Sequence, residues 1–402
     1  MTKQHKTDWL SGIIKLVPGM LFLMLGYGAE SEPFFEKKII LERREKKGTY
    51  AIPKLVVTKA GTAIVVLQDR QGGDWAAHID PIMIRSLDGG KTWSSSILLI
   101  PEDFPERKNF HFKPTGIVID HLSGRILVFI SRSPLVDREG QPIQERWFYS
   151  NIQETRSLGR AWFLIYSDDQ GATWSYPNEI TSQLIKKQHW QEWSPVHTGI
   201  QLASGTHAGR LVLPVRCYCP DSDPGKHDLK FQSNGLLFSD DGGLTWIPGG
   251  RSGPGLGECS IAERSDGSIY LNQRPSPGRK GQRWSAISND GGITIEEAVS
   301  SDFKDALCHA GLTTMIDKAN DKRIFLLSNV PGPKRRGLTI SVSPDEGISW
   351  KRLREIDESP TAYSDLAVLP NKMILCVYET GKHTSRKNLA IARFNQEWMR
   401  AK

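Results

Sequence analysis

The 402-residue chain has too few cysteines, and in the wrong number, for a disulfide scaffold. Its five, Cys217, Cys219, Cys259, Cys308 and Cys376, cannot all pair internally, and buried free thiols are the expected state. Cys217 and Cys219 would share a strand face, but no second pair exists to complete a zinc site, so no structural metal is expected. Sustained helical periodicity is nearly absent, which argues against a helical bundle. No apolar run is long enough to span a bilayer; the run "LVPGMLFLML" at residues 16–25 has only about ten residues. The formal charge is +7, yet Lys and Arg are scattered. Without a basic run interleaved with aromatics, no nucleic-acid partner is expected.

What the chain does contain is punctuation and repetition. Lys3, His5 and Lys6 precede the apolar run, and Gly26 and Gly28 occupy the −3 and −1 positions of a cut before Ala29. This layout predicts a signal peptide over residues 1–28, export to the periplasm or medium, and no membrane span after processing. Gly (37) and Pro (23) break the rest into short segments, and Trp is frequent at 12. "SLDGGKTW" at residue 86 recurs as "SDDQGATW" at 167, "SDDGGLTW" at 239, "SNDGGITI" at 288 and "SPDEGISW" at 343. Each copy follows an apolar, strand-like run such as "AWFLIYS". The Asp can accept from amides of its own turn, the Gly supplies positive φ, and the Trp can fold back on the hairpin. Every residue of the repeat thus has a structural task.

Intervals of about 50 to 80 residues between copies suit one blade each, with insertions in the longer ones. The expected fold is an all-β, six-bladed β-propeller of four-stranded antiparallel blades over residues 29–402. The charged segment around residues 29–48 is expected to supply a closing strand.

The repeat resembles the Asp-box of sialidases. The resemblance extends over residues 48–395 through "NGLLFSDDGGLTWIPGG", "GECSIAERSDGSIYLNQR", "RRGLTISVSPDEGISW", "AYSDLAVLP" and "CVYE", in the order and spacing of bacterial-type exo-sialidases with BNR repeats. It implies roles for particular residues. Tyr363 in "TAYSDLAVLP" matches the nucleophile. A phenol suits a sugar whose anomeric carbon bears a carboxylate, because an anionic nucleophile would be repelled. Glu258 in "GECSIAE" matches the base that takes the phenolic proton. Arg274 matches the second arginine of a three-arginine carboxylate clamp, a task suited to a planar, permanently charged fork. Arg335 in "PKRRGLTI" matches the third, with Arg336 as the fallback, and Glu379 matches the carboxylate that holds a clamp arginine. Asp74, on the Gly-rich "QGGDW" loop, matches the acid/base, with Asp80 as competitor. Arg70 matches a further arginine that contacts the sugar or orients the aspartate.

One position departs from the pattern. Where the first clamp arginine belongs, "GTYAIPKLVV" has Ala51. Arg70, Lys54 and Arg43 or Arg44 are the cations that could fill the gap. Without such a cation, the departure implies a different α-keto acid sugar as substrate, or loss of activity. His197 in "WSPVHTGIQL" either lines the site or packs. The implied function is exo-α-sialidase activity on sialylated glycans, retaining, with no metal or organic cofactor and a monomer as the working form. A carbohydrate-binding propeller without turnover is the rival class.

Overall fold

The computed structural model describes residues 32–43, 48–72, 78–105, 107–143, 152–186, 191–218, 232–276 and 281–401. The signal-peptide segment, Arg44, Asp74 and Cys219 lie outside these. The unit formed by Pro33–Lys402 is a β-propeller whose strands follow the period-two rule closely. In Ala63–Arg70, Ile64 and Val66 pack with Ile117, Val128 and Ile130 of the next sheet. Ala63, Val65 and Leu67 point the opposite way, onto Leu375, Val377 and Ile391. Both faces of the strand are covered, so it reads as a near-continuous apolar run.

The expectation of six four-stranded blades is corrected by the hydrogen bonding. Five sheets are present among the described residues, with seven, six, five, four and four strands. The two four-stranded sheets are Thr49–Val57, Ala63–Arg70, Ile79–Ser86, Ile97–Leu98, and Leu256–Glu263, Ile269–Pro275, Gln282–Ser288, Val299–Lys304. The seven-stranded sheet arises because Lys351–Val368 is one uninterrupted strand of 18 residues. Its first part pairs with Arg336–Ser343 and its second with Ile374–Thr380. Pro360 sits at the handover, opposite Arg336, and Thr361 already pairs with Thr380. A proline is tolerated where ladder pairing changes partner, and no glycine or two-residue turn divides the segment.

Two further departures from uniform blades come from short strands. His197–Thr198 adds to Phe110–Ile119 in parallel, making that sheet five-stranded. Ile185–Lys186 and Ile200–Gln201 extend the sheet built on Leu211–Tyr218 to six. The closing strand is where the sequence suggests: Phe35–Leu41 pairs antiparallel with Asn388–Phe394, Phe35 opposite Phe394.

The repeated turns are local locks. In the first, the Ser86 hydroxyl donates to Asp88 Oδ1 (2.8 Å) and accepts from Gly90 N (2.8 Å). Asp88 also accepts from Thr92 N (2.9 Å) and the Thr92 hydroxyl (2.6 Å). The same four bonds recur at Asp169, Asp241, Asp290 and Asp345, the last with Ser349 in place of threonine. Trp93 and Trp246 fold back so that the indole N–H donates to the carbonyls of Gly90 and Gly243. Asp241→Ala removes the acceptor that organises one lock and is expected to cost about 1–2 kcal/mol, as loss of a comparable helix cap does. Calorimetry should record a fall in Tm of about 1–3 °C. Activity at 25 °C should be unchanged; a large activity loss in a folded variant would contradict a purely structural turn.

The four described cysteines, Cys217, Cys259, Cys308 and Cys376, are buried free thiols. No helix among the described residues is long and apolar enough to cross a membrane.

Candidate active site

Irregularities in three strands bring the site together. The ladder between Leu256–Glu263 and Ile269–Pro275 shifts between Leu256 and Cys259, and Glu258 lies within that shift. The ladder between Lys351–Val368 and Ile374–Thr380 shifts between Thr361 and Ser364, around Tyr363. A third shift, between Ala51 and Lys54, contains Ile52. Bulges bend a strand and re-aim its side chains, and here they turn residues from three sheets toward one cavity. Ile52, Lys54, Arg70, His197, Arg216, Glu258, Tyr363 and Arg386 line it. No residue of the five repeated turns does.

The Tyr363 hydroxyl donates to Glu258 Oε1 at 2.8 Å and accepts from Arg274 Nη1 at 2.6 Å. Arg274 Nη1 also donates to Glu258 Oε2 at 2.6 Å, and Arg216 Nη2 to Glu258 Oε1 at 3.0 Å. All four groups are largely or wholly withdrawn from solvent. Burial alone would push the Glu258 carboxyl up, but Arg274 and then Arg216 hold it well below the usual carboxylate range. Burial raises the Tyr363 hydroxyl above its ordinary value, against the pull of Arg274. At neutral pH the site therefore pairs a neutral phenol with an ionised carboxylate that already accepts its proton in a hydrogen bond. This geometry suits a nucleophile deprotonated as it attacks.

Among the described residues, three guanidiniums stand over the Tyr363 ring: Arg386 with Cζ 5.5 Å from the centroid, Arg335 at 5.6 Å and Arg274 at 5.9 Å. Arg335 also donates to the Leu307 carbonyl (3.0 Å). Arg336, by contrast, is exposed and donates to the Glu358 carbonyl. The structure thus separates the two neighbours, with Arg335 beside the tyrosine. Glu379 is fully buried and accepts from Ile52 N at 2.7 Å and Tyr363 N at 3.4 Å. Arg70 lines the cavity and donates from Nε to Gln68 Oε1 (2.9 Å). Ala51 is buried and does not line the cavity.

Asp74 lies outside the described residues. Its competitor Asp80 is ion-paired with Arg107, lies 3.0 Å from His78 Nε2, and does not line the cavity. Burial would raise its carboxyl, but His78 and Arg107 hold it low, the wrong direction for a proton donor near neutrality. Of the cations proposed to fill the Ala51 gap, Arg43 is ion-paired with Asp69 and packs on Tyr50.

Lys54 is only 1% exposed, and its ammonium donates to the carbonyls of Pro114 (2.8 Å) and Ile52 (3.2 Å). Burial pushes it down to about 7, although Asp365, Glu258 and Glu379 favour its charge. The unfolded chain keeps this proton up to its ordinary value of 10.5. Between pH 7 and 10.5 the unfolded state binds more protons, so the Lys54 contribution to stability improves as pH rises through that window. Lys54→Met should therefore raise Tm relative to the parent more at pH 6 than at pH 9. An equal change at both values in a calorimetric comparison would remove the buried ammonium as the cause.

Sequence reasoning missed Arg216, His309 and Arg386. An arginine inside the apolar strand Leu211–Tyr218 was a usable signal for the first. His309 had none: it matters because its ring stacks on His197, centroids 3.1 Å apart and planes within 6°. His197 thus does both things the sequence left open, lining the cavity and packing. Both imidazoles are held well below their ordinary value, by burial first. His197, Glu258 and His309 each offer a ligand atom within 4.8 Å of the others. Charge argues against a cation there. Glu258 already accepts from two guanidiniums and a phenol, and a divalent ion would displace those bonds and face both arginines.

Together these observations define a β-propeller of BNR type with a cationic cavity around a tyrosine–glutamate pair. The chain belongs to the sialidase family with BNR repeats: the family model described as a BNR repeat-like domain matches residues 117–376. It is 28% identical over 385 residues to a sialidase of Micromonospora viridifaciens, covering 92% of this chain and 55% of that protein. It is 28% identical over 354 residues to a sialidase of Bacteroides fragilis, covering 84% of this chain and 61% of that one. The chain thus spans little more than half the length of these relatives. The solved structure of the Hadza microbial sialidase Hz136 shares the fold with a TM-score of 0.72 and 24% identity, over 87% of this chain and 66% of that one.

Proposed function

We propose that the protein is an exported exo-α-sialidase that releases terminal sialic acid, or a related nonulosonic acid, from glycoconjugates with retention of configuration. The hydrogen bond from the Tyr363 hydroxyl to Glu258, 2.8 Å long and ringed by guanidiniums, carries this reading. The names of the bacterial relatives support the substrate class. In the first half-reaction the Tyr363 oxygen bonds to the anomeric carbon and its proton passes to Glu258. The bond to the aglycone oxygen breaks as that oxygen takes a proton from an acid, the role proposed for Asp74. In the second, water loses a proton to that same group and attacks the anomeric carbon. Tyr363 leaves and recovers its proton from Glu258. Two displacements at one carbon give net retention.

The arginines act on charge. Arg274 and Arg335 would hold the substrate carboxylate, and Arg274, touching the phenolic oxygen, would also stabilise negative charge that develops there. The test is turnover of a fluorogenic α-ketoside of N-acetylneuraminic acid, with the anomer released first identified by NMR. Release of the α anomer supports the reading. Saturable binding of nonulosonic acids without turnover of any would favour the carbohydrate-binding alternative, and release of the β anomer would exclude the double displacement.

A further inference from the structure

We propose that Arg386 is the arm of the carboxylate clamp that position 51 does not provide. The inference rests on the sialidase reading and assigns one of its binding contacts to a residue far from the expected place in the chain. Arg386 follows Ile374–Thr380 and precedes Asn388–Phe394, so it reaches the cavity from a connection between strands.

Three observations converge on it. First, Glu379 is a fully buried carboxylate, and Arg386 Nε lies 3.6 Å from its Oε2. Burial pushes the Glu379 carboxyl up, and Arg386 is the leading influence against that rise. The carboxylate expected to hold a clamp arginine is therefore holding one. Second, Arg386 stands over the Tyr363 ring at 5.5 Å, within half an ångström of the distances for Arg274 and Arg335. Among the described residues, three guanidiniums thus surround this tyrosine, the number that the sialidase resemblance implies for the clamp. Third, the chain at position 51 is committed elsewhere. Ala51 is wholly buried, and Ile52 adopts φ 52°, an unfavourable conformation for a β-branched residue. That turn aims the Ile52 N–H at Glu379 Oε1 (2.7 Å), so a backbone amide and Arg386 share the carboxylate between them.

The other nearby cations are less suited. Lys54 directs its ammonium at two carbonyls, and a lysine lacks the planar fork that binds both oxygens of a carboxylate. Arg70 is engaged with Gln68 and is not among the guanidiniums that stand over Tyr363.

The experiment compares the parent, Arg386→Ala and Arg386→Lys for calorimetric binding of 2,3-didehydro-2-deoxy-N-acetylneuraminic acid and its methyl ester, alongside turnover of the fluorogenic ketoside. Tm serves as the check on folding. Removing one arm of a buried charge clamp should weaken binding of the free acid roughly 10²- to 10³-fold. The ester should change less than about threefold, so acid-over-ester discrimination collapses, and Arg386→Lys should fall between. Acid affinity unchanged in Arg386→Ala, or acid and ester weakened equally, overturns the assignment. The two readings fail separately: acid-selective binding that depends on Arg386 without any turnover would sink the hydrolase and keep the clamp. Turnover with undiminished acid binding in Arg386→Ala would do the reverse.

Discussion

Tyr363→Phe is expected to lower kcat on an aryl α-sialoside by at least about 10³-fold while leaving the affinity for a carboxylate-bearing glycal within a few-fold of the parent. The phenolic oxygen is the atom that would bond to the anomeric carbon, and no other tyrosine among the described residues lines the cavity. Glu258 is the carboxylate that touches the phenol among the described residues, but its two oxygens are tied to Tyr363, Arg216 and Arg274. Acting directly, it would also approach a carbon that already carries a carboxylate. The substitution removes one oxygen and leaves the ring, the three guanidiniums around it and the Glu379 anchor in place. It does leave Glu258 and Arg274 one hydrogen bond poorer, about 1–3 kcal/mol of stability for a buried partner. Binding should therefore be checked on folded protein. A kcat within tenfold of the parent would mean that the tyrosine is not the nucleophile, whatever the family pattern suggests.

How much of this could be read from the chain depends on whether the signal was local. The repeated turn was legible because Ser, Asp, Gly and Thr lie within seven residues and bond to one another; the hydrogen bonds at Asp88 are those the sequence implies. The closing strand was legible for a similar reason, since a charged, extended segment at one end must pair with something. The blade count was not. It depended on whether residues 351–368 would break into two strands, and "RLREIDESPTAYS" gives no turn signal that settles it. The strand runs through Pro360 and joins what the repeat spacing treats as separate blades.

The site shows the same division. Tyr363, Glu258, Arg274, Arg335 and Glu379 come from segments that carry the sialidase resemblance, and the fold brings them within contact of one another or of a shared partner. Arg386 sits in "TGKHTSRKN", a stretch with the composition of any solvated loop. Only the position of Glu379 gives it meaning. Ala51 read as a missing function because the sequence shows which residue is absent and not which distant residue comes into reach. Arg216 and His309 are similar: each acts through Glu258 or His197, and neither has a neighbour in the chain that marks it.

Glu258→Gln is the substitution expected to damage both activity and stability. On activity, the carboxamide cannot take the Tyr363 proton, and loss of a positioned general base typically costs about 10²- to 10⁴-fold in rate. On stability, Glu258 is the acidic partner of both Arg274 and Arg216, and all three are largely buried. A neutral glutamine takes from Arg216 and Arg274 the carboxylate that both of them contact. Removing one side of a buried ion pair costs about 3–5 kcal/mol. The Glu258 carboxyl lies well below its ordinary value in the folded protein, so its contribution is present at neutral pH and is lost as pH falls through that depressed folded value. The parent should consequently lose stability on acidification more steeply than Glu258→Gln, and the difference between their Tm values should narrow toward low pH. Thermal melts from pH 7 downward, paired with kcat at each pH where both proteins are folded, separate the two effects. A variant that keeps the parent's Tm at pH 7 would show that the arginines do not depend on this carboxylate. A stable variant with parental kcat would remove Glu258 as the base.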